Sequence, residues 1–153
     1  MKLTIRLAQA ADLNKLIDLE AISFSEEKYH LLSSRQYRYL LTKANADIWV
    51  GEINGQITAS AVVLYRKHWQ QCRLYSIAVH PDFQGKGLGT KLMKYIEQAA
   101  KKNGLQGMRQ EVRQDMQALI NHHIDAGYHI YGQLPNYYPD GLGCIQLKKV
   151  WHA

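Results

Sequence analysis

Gln84-Gly85-Lys86-Gly87-Leu88-Gly89 places glycines at alternate positions between a β-prone apolar run and an amphipathic helical pattern. Glycine lets the backbone turn through positive φ and approach a ligand closely. The first N–H groups of a helix have no intrahelical partner and sit at the positive end of its dipole. Together these make a pyrophosphate site, with Lys86, Thr90 and Lys91 close by. Spacing narrows the ligand. A dinucleotide site uses GxGxxG after the first strand of a βαβ unit, with an acidic residue about 20 residues further on. Here the loop is spaced QxxGxG and follows an antiparallel hairpin in mid-chain. A Walker loop ends in Gly-Lys-Ser/Thr, whereas Gly89 is followed by Thr90-Lys91. Coenzyme A is the third class of ligand, and a tight turn without any ligand is the plain alternative.

The other chemistry-bearing residues lie downstream. In a strand over 107–113, Arg109, Glu111 and Arg113 share one face and Met108, Gln110 and Val112 the other. A carboxylate on a cleft face can accept a proton. Flanked by cations two residues away, it could equally belong to a structural ion pair. His122 and His123 are adjacent on a helical segment and point in different directions. No His or Cys partner recurs at ligand spacing, so no metal site is expected. Tyr137 and Tyr138 sit in a loop between Pro135 and Pro139, where such rings either line a groove or cover a sheet edge.

The elements that must position these residues follow from pattern. Residues 3–7 read as a strand. Asp12 is a good N-cap for a helix burying Leu13, Leu16, Ile17 and Leu19. Residues 24–32 are irregular, and Ser33 or Ser34 caps a second helix carrying Tyr37, Leu40 and Leu41. A strand over 48–53 leads into Asn54-Gly55, the strongest hairpin signal in the chain, and the return runs from 56 to 65. A third long strand covers 71–79. After the glycine loop comes a helix over 87–103, with Leu88, Leu92, Tyr95, Ile96 and Ala99 on one side and Gly104 closing it. A strand over 107–113 and a helix over 115–126 follow, the latter with Leu119, Ile120 and Ile124 inward and Gly127 at its end. The last strands are 128–134 and 144–150. The expectation is an α/β (α+β) fold, residues 1–153 forming one domain, with about seven strands in a mixed, mostly antiparallel twisted sheet and about four helices on its two faces.

Bulk properties agree. The 153 residues, 46% of them apolar, suffice for one core. No run approaches the roughly 20 apolar residues of a membrane helix, and Met1-Lys2-Leu3-Thr4-Ile5-Arg6 lacks a signal-peptide pattern; a cytoplasmic location is expected. Cys72 and Cys144 read as small apolar residues in a reducing compartment. The net charge of +6 is scattered over at most paired cations, which fits a polyanionic ligand better than nucleic acid, and no nucleic-acid partner is expected.

Leu74 to Gly89, with Glu111-Val112-Arg113, the helix after it and Gly127-Tyr128, closely resembles the cofactor motif and following elements of the GNAT superfamily of N-acetyltransferases. The resemblance extends over essentially the whole chain, less distinctively over residues 1–60. Within the superfamily it is most similar to the ribosomal-protein alanine N-acetyltransferases, on Glu111-Val112-Arg113 and Asn136-Tyr137-Tyr138-Pro139-Asp140-Gly141. It implies acetyl-CoA as donor. The backbone of Ile77, Ala78 and Val79 would pair with the pantetheine arm, and Gln84, Gly85, Lys86, Gly87, Leu88, Gly89 and Thr90 would hold the pyrophosphate. The Val79 N–H would face the thioester carbonyl. It also implies Glu111 as proton acceptor and the 135–143 loop, with Tyr137 and Tyr138, as a wall of the acceptor groove. Two positions depart from the family: His123 stands where a tyrosine acid is usual, and Met116 where a cofactor-contacting asparagine is usual. Histidine titrates near 6.5 against about 10 for tyrosine, so proton donation survives in principle, with Tyr128, Tyr131, Tyr137 and Tyr138 nearby. The acceptor implied is a primary amine, foremost a protein N-terminal α-amine. A small-molecule amine, or a catalytically weak acyl-CoA-binding module, are the alternatives.

Overall fold

The computed structural model describes residues 2–66 and 68–151. In chain order the elements are β1 (Thr4–Leu7), α1 (Leu13–Ser23), α2 (Ser34–Thr42), β2 (Ala46–Ile53), β3 (Gln56–Leu64), β4 (Gln71–Val79), α3 (Leu88–Lys102), β5 (Gly107–Arg113), α4 (Gln117–Asp125), β6 (His129–Leu134) and β7 (Cys144–Val150), with single 3₁₀ turns at Ala10–Asp12 and Pro81–Phe83. The expected order of elements is therefore present. The strands form one seven-stranded sheet in the order β1-β2-β3-β4-β5-β7-β6. Every neighbouring pair is antiparallel except β4 and β5, joined by the crossover helix that a parallel pair requires.

Two apolar layers enclose the sheet. On one face Leu16 and Leu19 of α1 and Tyr37 of α2 pack on Ile48, Val50, Ile57, Val62 and Ala78. On the other, Leu92, Met93, Ile96 and Ala100 of α3 and Ile120 of α4 pack on Ala61, Val63, Leu74, Met108 and Leu147. Cys72 and Cys144 are both buried and free. Asn54 and Gly55 hold φ of 52° and 76° and turn β2 into β3, the double positive φ that makes Asn-Gly a hairpin signal. Ser33 caps α2: its Oγ accepts from the Gln36 N–H at 3.1 Å, and Gln36 Oε1 accepts from the Ser33 N–H at 2.8 Å.

Three expectations are corrected. The Asp12 side chain does not cap α1; it accepts from the Gln9 N–H at 2.7 Å and pairs with Arg6 at 2.8 and 3.0 Å. Tyr95 is exposed and lies edge-on to Trp49, while Met93 and Ala100 join the buried side of α3. Leu119 and Ile124 are exposed, and the inward residues of α4 are Ile120 and His123.

The feature that positions the site is a split in the sheet. β4 and β5 stay in register from Gln71–Gly107 only to Leu74–Gln110. There β4 carries an irregularity, with Val62 opposite Ser76 and Val63 opposite Leu74, so that Tyr75 is the extra residue. A bulge bends its strand and increases local twist. Beyond it, β4 remains paired to β3 while β5 remains paired to β7 as far as Arg113–Cys144. The strands diverge and leave a wedge.

Candidate active site

The wedge is a cleft of about 800 Å³ lined by the end of β4, the glycine loop, the start of α3, the end of β5, α4 and the Tyr137-Tyr138 loop. The His80 N–H donates to Thr58 O at 2.8 Å. By strand alternation Ala78 and Ser76 also point to β3, and Ile77 and Val79 turn their backbone groups to the open side. The Val79 carbonyl, on that side, accepts from Gln84 Nε2 at 3.0 Å. The Gln84 amide is thus committed to fixing the strand end.

At the far mouth, Gly85 and Gly87 hold φ of 76° and 78°. A Cβ at either would meet nothing within 4 Å, so conformation rather than crowding selects glycine here. Gly87 is the N-cap of α3, leaving the N–H groups of Leu88, Gly89 and Thr90 without intrahelical acceptors. Thr90 Oγ1 lies 3.1 Å from His122 Nε2, and Met116, at the N-cap of α4, is exposed on the same wall. Lys86 departs from expectation: its ammonium lies 5.7 Å from the Phe83 ring centroid, and the residue is not on the cleft wall.

At the near mouth stands Glu111. Its Oε1 accepts from Arg73 Nε at 2.9 Å and from the second guanidinium nitrogen at 2.5 Å. Arg73 also donates to the Tyr137 hydroxyl at 3.0 Å, which is 3.4 Å from Glu111 Oε1. Oε2 has no partner among the described residues. Arg113, deeply buried, pairs with Asp140 at 2.8 Å and Asp115 at 3.2 Å and donates to the Lys28 carbonyl at 2.8 Å. Its guanidinium lies between the Tyr29 and Tyr138 rings, 5.3 and 5.0 Å from their centroids. Carboxylates hold its pKa well above the usual guanidinium value. One cation thereby ties the end of β5 to the 24–32 segment and the 135–143 loop, which meet there with the Tyr29 and Tyr138 ring centroids 5.5 Å apart. Glu20, buried in α1, accepts from the Tyr37 hydroxyl at 2.9 Å and the Leu32 N–H at 2.8 Å, and burial raises its pKa.

His123 is buried on the cleft wall with Nδ1 unpartnered among the described residues. Burial first, then the neighbouring His122, push its pKa down to about 4, against an opposing pull from Glu97. Tyr128 is not free to act: its hydroxyl donates to Glu97 Oε2 at 2.8 Å, and Lys149 donates to Oε1 at 3.0 Å. Tyr131 lies outside the cleft, beneath Lys148.

The cleft thus brings together the expected cofactor, acceptor and catalytic residues except Lys86, while Tyr128 and Tyr131, the alternatives to His123 alongside Tyr137 and Tyr138, do not line it. Arg73 and Glu20 are functional candidates that sequence reading passed over, and Arg113 is read there only as a cation flanking Glu111 and part of a motif. Arg73 and Glu111 are 38 residues apart and meet only through the parallel register. The alternation that put Glu111 on a cleft face was the one available signal.

One cleft in an open sheet is thus lined both by a glycine loop leading into a helix N-terminus and by a carboxylate. The chain belongs to the GNAT acetyltransferase family, whose model matches residues 13–128. It is 28% identical over 144 residues to a ribosomal protein bS18-alanine N-acetyltransferase of Salmonella typhimurium, covering 92% of this chain and 90% of that one. It is 32% identical over 97 residues to the L-amino acid N-acyltransferase MnaT of Escherichia coli, covering 61% of this chain and 56% of that protein. The chain thus spans about half the length of the curated relatives it matches first, at 56% and 49%. Among solved structures, the ribosomal-protein-S18-alanine N-acetyltransferase of Escherichia coli superposes with a TM-score of 0.88 at 24% identity, over 99% of this chain and 96% of that one. A GNAT acetyltransferase of Elizabethkingia anophelis with acetyl-CoA bound gives 0.79 at 18%, over 97% and 98%. These likenesses establish the fold. Among the described residues no helix is long and apolar enough to cross a membrane.

Proposed function

We propose that the chain transfers an acetyl group from acetyl-CoA to a primary amine, foremost a protein N-terminal α-amine, by direct attack with both substrates bound. The observation that carries the reading is one cleft lined both by the glycine loop with the N-terminus of α3 and by Glu111. The residues fit the donor. The N–H groups of Leu88 to Thr90 suit a pyrophosphate, and Ile77 and Val79 offer backbone groups to the amides of the arm. Gln110 adds an amide nitrogen that is buried on the same cleft without a partner among the described residues. Acetyl-CoA would supply an activated acyl carbon and a thiolate leaving group.

The chain's residues do the rest. An amine arrives mostly protonated, with a pKa of about 8 at an N-terminus. Glu111, held by Arg73 and Tyr137, takes that proton at Oε2, directly or through a water. The Val79 N–H binds charge developing on the carbonyl oxygen. His123 lines the wall and is the proposed donor toward the sulfur. The relatives that acylate amino groups support an amine acceptor, and the match to a ribosomal-protein alanine N-acetyltransferase over nearly its whole length supports an N-terminal one.

Mass spectrometry of products from a panel of peptides and small amines tests this. Acetylation on peptide N-termini is expected, with kcat falling about 10²-fold or more in Glu111→Gln. Unchanged turnover in that variant would remove Glu111 from the mechanism. The neutral, buried state of His123 favours a second reading, an acyl-CoA-binding module with weak turnover. Tight CoA binding without acetylation of any amine in the panel would select it.

A further inference from the structure

On the α1–α2 side, the sheet is covered along β2, β3 and part of β4, whereas along β5 and β7 the same face presents Arg109, Glu111, Gln146 and Lys148 by strand alternation. Register sets Arg109 beside Arg73 on β4 and opposite Lys148 on β7. Like charges directly opposite one another across strands are destabilising. Among the described residues one carboxylate, that of Glu111, meets this row, and it meets Arg73. Arg109 has no anionic partner there, and its Nε is buried without a hydrogen bond among the described residues. Trp69, exposed in the connection from β3 to β4, has two guanidinium groups over its ring, Arg109 at 4.2 Å and Arg66 at 4.7 Å from the centroid. Stacking of this kind holds guanidinium planes in place and leaves their edge N–H groups free for a carboxylate.

The row begins at the carboxylate where the amine must arrive. Arg109 and Glu111 are two residues apart on one face, roughly 7 Å, and Lys148 lies one strand spacing of about 5 Å further out. An extended acceptor whose N-terminus sits at Glu111 advances about 3.3–3.6 Å per residue. Its third to fifth residues therefore cross Arg109 and Lys148.

We propose that this strip is the docking surface of the acceptor chain and that it selects acidic side chains at about the third to fifth positions after the acetylated terminus. The proposal rests on the amine-acetylating reading above and adds the charge class of the acceptor. Cations spaced along a surface give specificity and on-rate toward an acidic chain and repel a basic one.

The test compares peptides sharing a first residue and carrying Glu, Ala or Lys at positions three to five. Two readouts are taken: kcat/KM with acetyl-CoA, and anisotropy of labelled peptide on CoA-saturated protein. An advantage of about tenfold or more for the Glu peptide over the Lys peptide is expected at low salt, shrinking toward 0.5 M. Lys148→Glu is expected to narrow or invert it, with the KM for acetyl-CoA unmoved; the salt series on the unaltered protein decides the matter should that variant fail to fold. Charge-selective binding without acetylation would uphold the strip and sink the enzymatic reading. Acetylation without charge preference would do the reverse. Binding of none of the peptides, preference for the Lys peptide, or displacement of the Glu peptide by single-stranded polyuridylate at a lower concentration than the peptide's own Kd would overturn the proposal.

Discussion

Burial on the wall of the cleft keeps His123 uncharged down to about pH 4, and this has two consequences at the scale of one residue. The first concerns stability. An unfolded imidazole titrates near 6.5. Between about 6.5 and about 4 the unfolded chain binds a proton that the folded chain refuses, so the stabilisation is complete above pH 6.5 and is lost as the pH falls through that window. Allowing for solvent at the cleft, the loss amounts to about 2 kcal/mol. Urea unfolding at pH 7 and pH 4.5 is expected to show it in the parent protein and to show much less of it in His123→Phe, and equal pH dependence in the two would refute the assignment. The second concerns catalysis. Three pH units above its pKa, the imidazolium is about one molecule in a thousand, so at pH 7 the ring can offer the departing sulfur a hydrogen bond but seldom a full proton. The spectator alternative and the donor role then separate in His123→Tyr. As a donor replaced by the family's usual residue, the variant should retain or gain kcat while His123→Ala loses it. Equal kcat in all three would make the position structural.

At the scale of the element, the wedge depends on β5 holding to β7 while β4 turns away. Gly107 starts β5, and a Cβ there would lie 2.6 Å from the Lys149 carbonyl oxygen and 3.2 Å from Gln71 Cγ. Backbone cannot yield as a flexible side chain does, so Gly107→Ala must push β5 from β7 or from β4. A loss of about 1–3 kcal/mol is expected in denaturant unfolding, with Gly55→Ala as a control that strains a turn without touching the wedge. Unaltered stability in Gly107→Ala would mean the pairing is looser than its register implies. The same scale separates what could be read from sequence. Asn54-Gly55, the Ser33 cap and the glycine loop are local signals, and each formed the element expected of it. The inward side of α4 was misread because its pattern was sought among apolar residues, whereas one of its two buried positions is His123. Asp12 had a nearer claim than the helix end, since Arg6 on β1 reaches it. The Tyr75 bulge and the Arg73–Glu111 contact depend on which strands become neighbours, and no periodicity within one strand carries that.

The whole molecule carries a formal charge of +6, part of it around the glycine loop and part on the face of β5 and β7, so two anions could answer it at two places. The donor is the one whose effect can be isolated without knowing the acceptor. A ligand bound only by the folded state stabilises by RT ln(1 + [L]/Kd), about 2.7 kcal/mol at a hundred times Kd, which for a chain of this size raises Tm by roughly 5–10 °C. Acetyl-CoA is expected to produce that shift alone, while adenosine and pantetheine supplied separately, lacking the pyrophosphate proposed to sit on the N–H groups of Leu88 to Thr90, produce little. Charges at a solvent-facing mouth are screened over about 10 Å at 0.1 M salt and 3 Å at 1 M, so the shift should shrink as salt rises at fixed ligand. A shift that held constant from 0.05 to 1 M would place the binding energy in burial along β4 and Met116 rather than at the loop. No shift with millimolar acetyl-CoA would remove the donor from the cleft, and with it the reading of Glu111 as the base that receives the amine's proton.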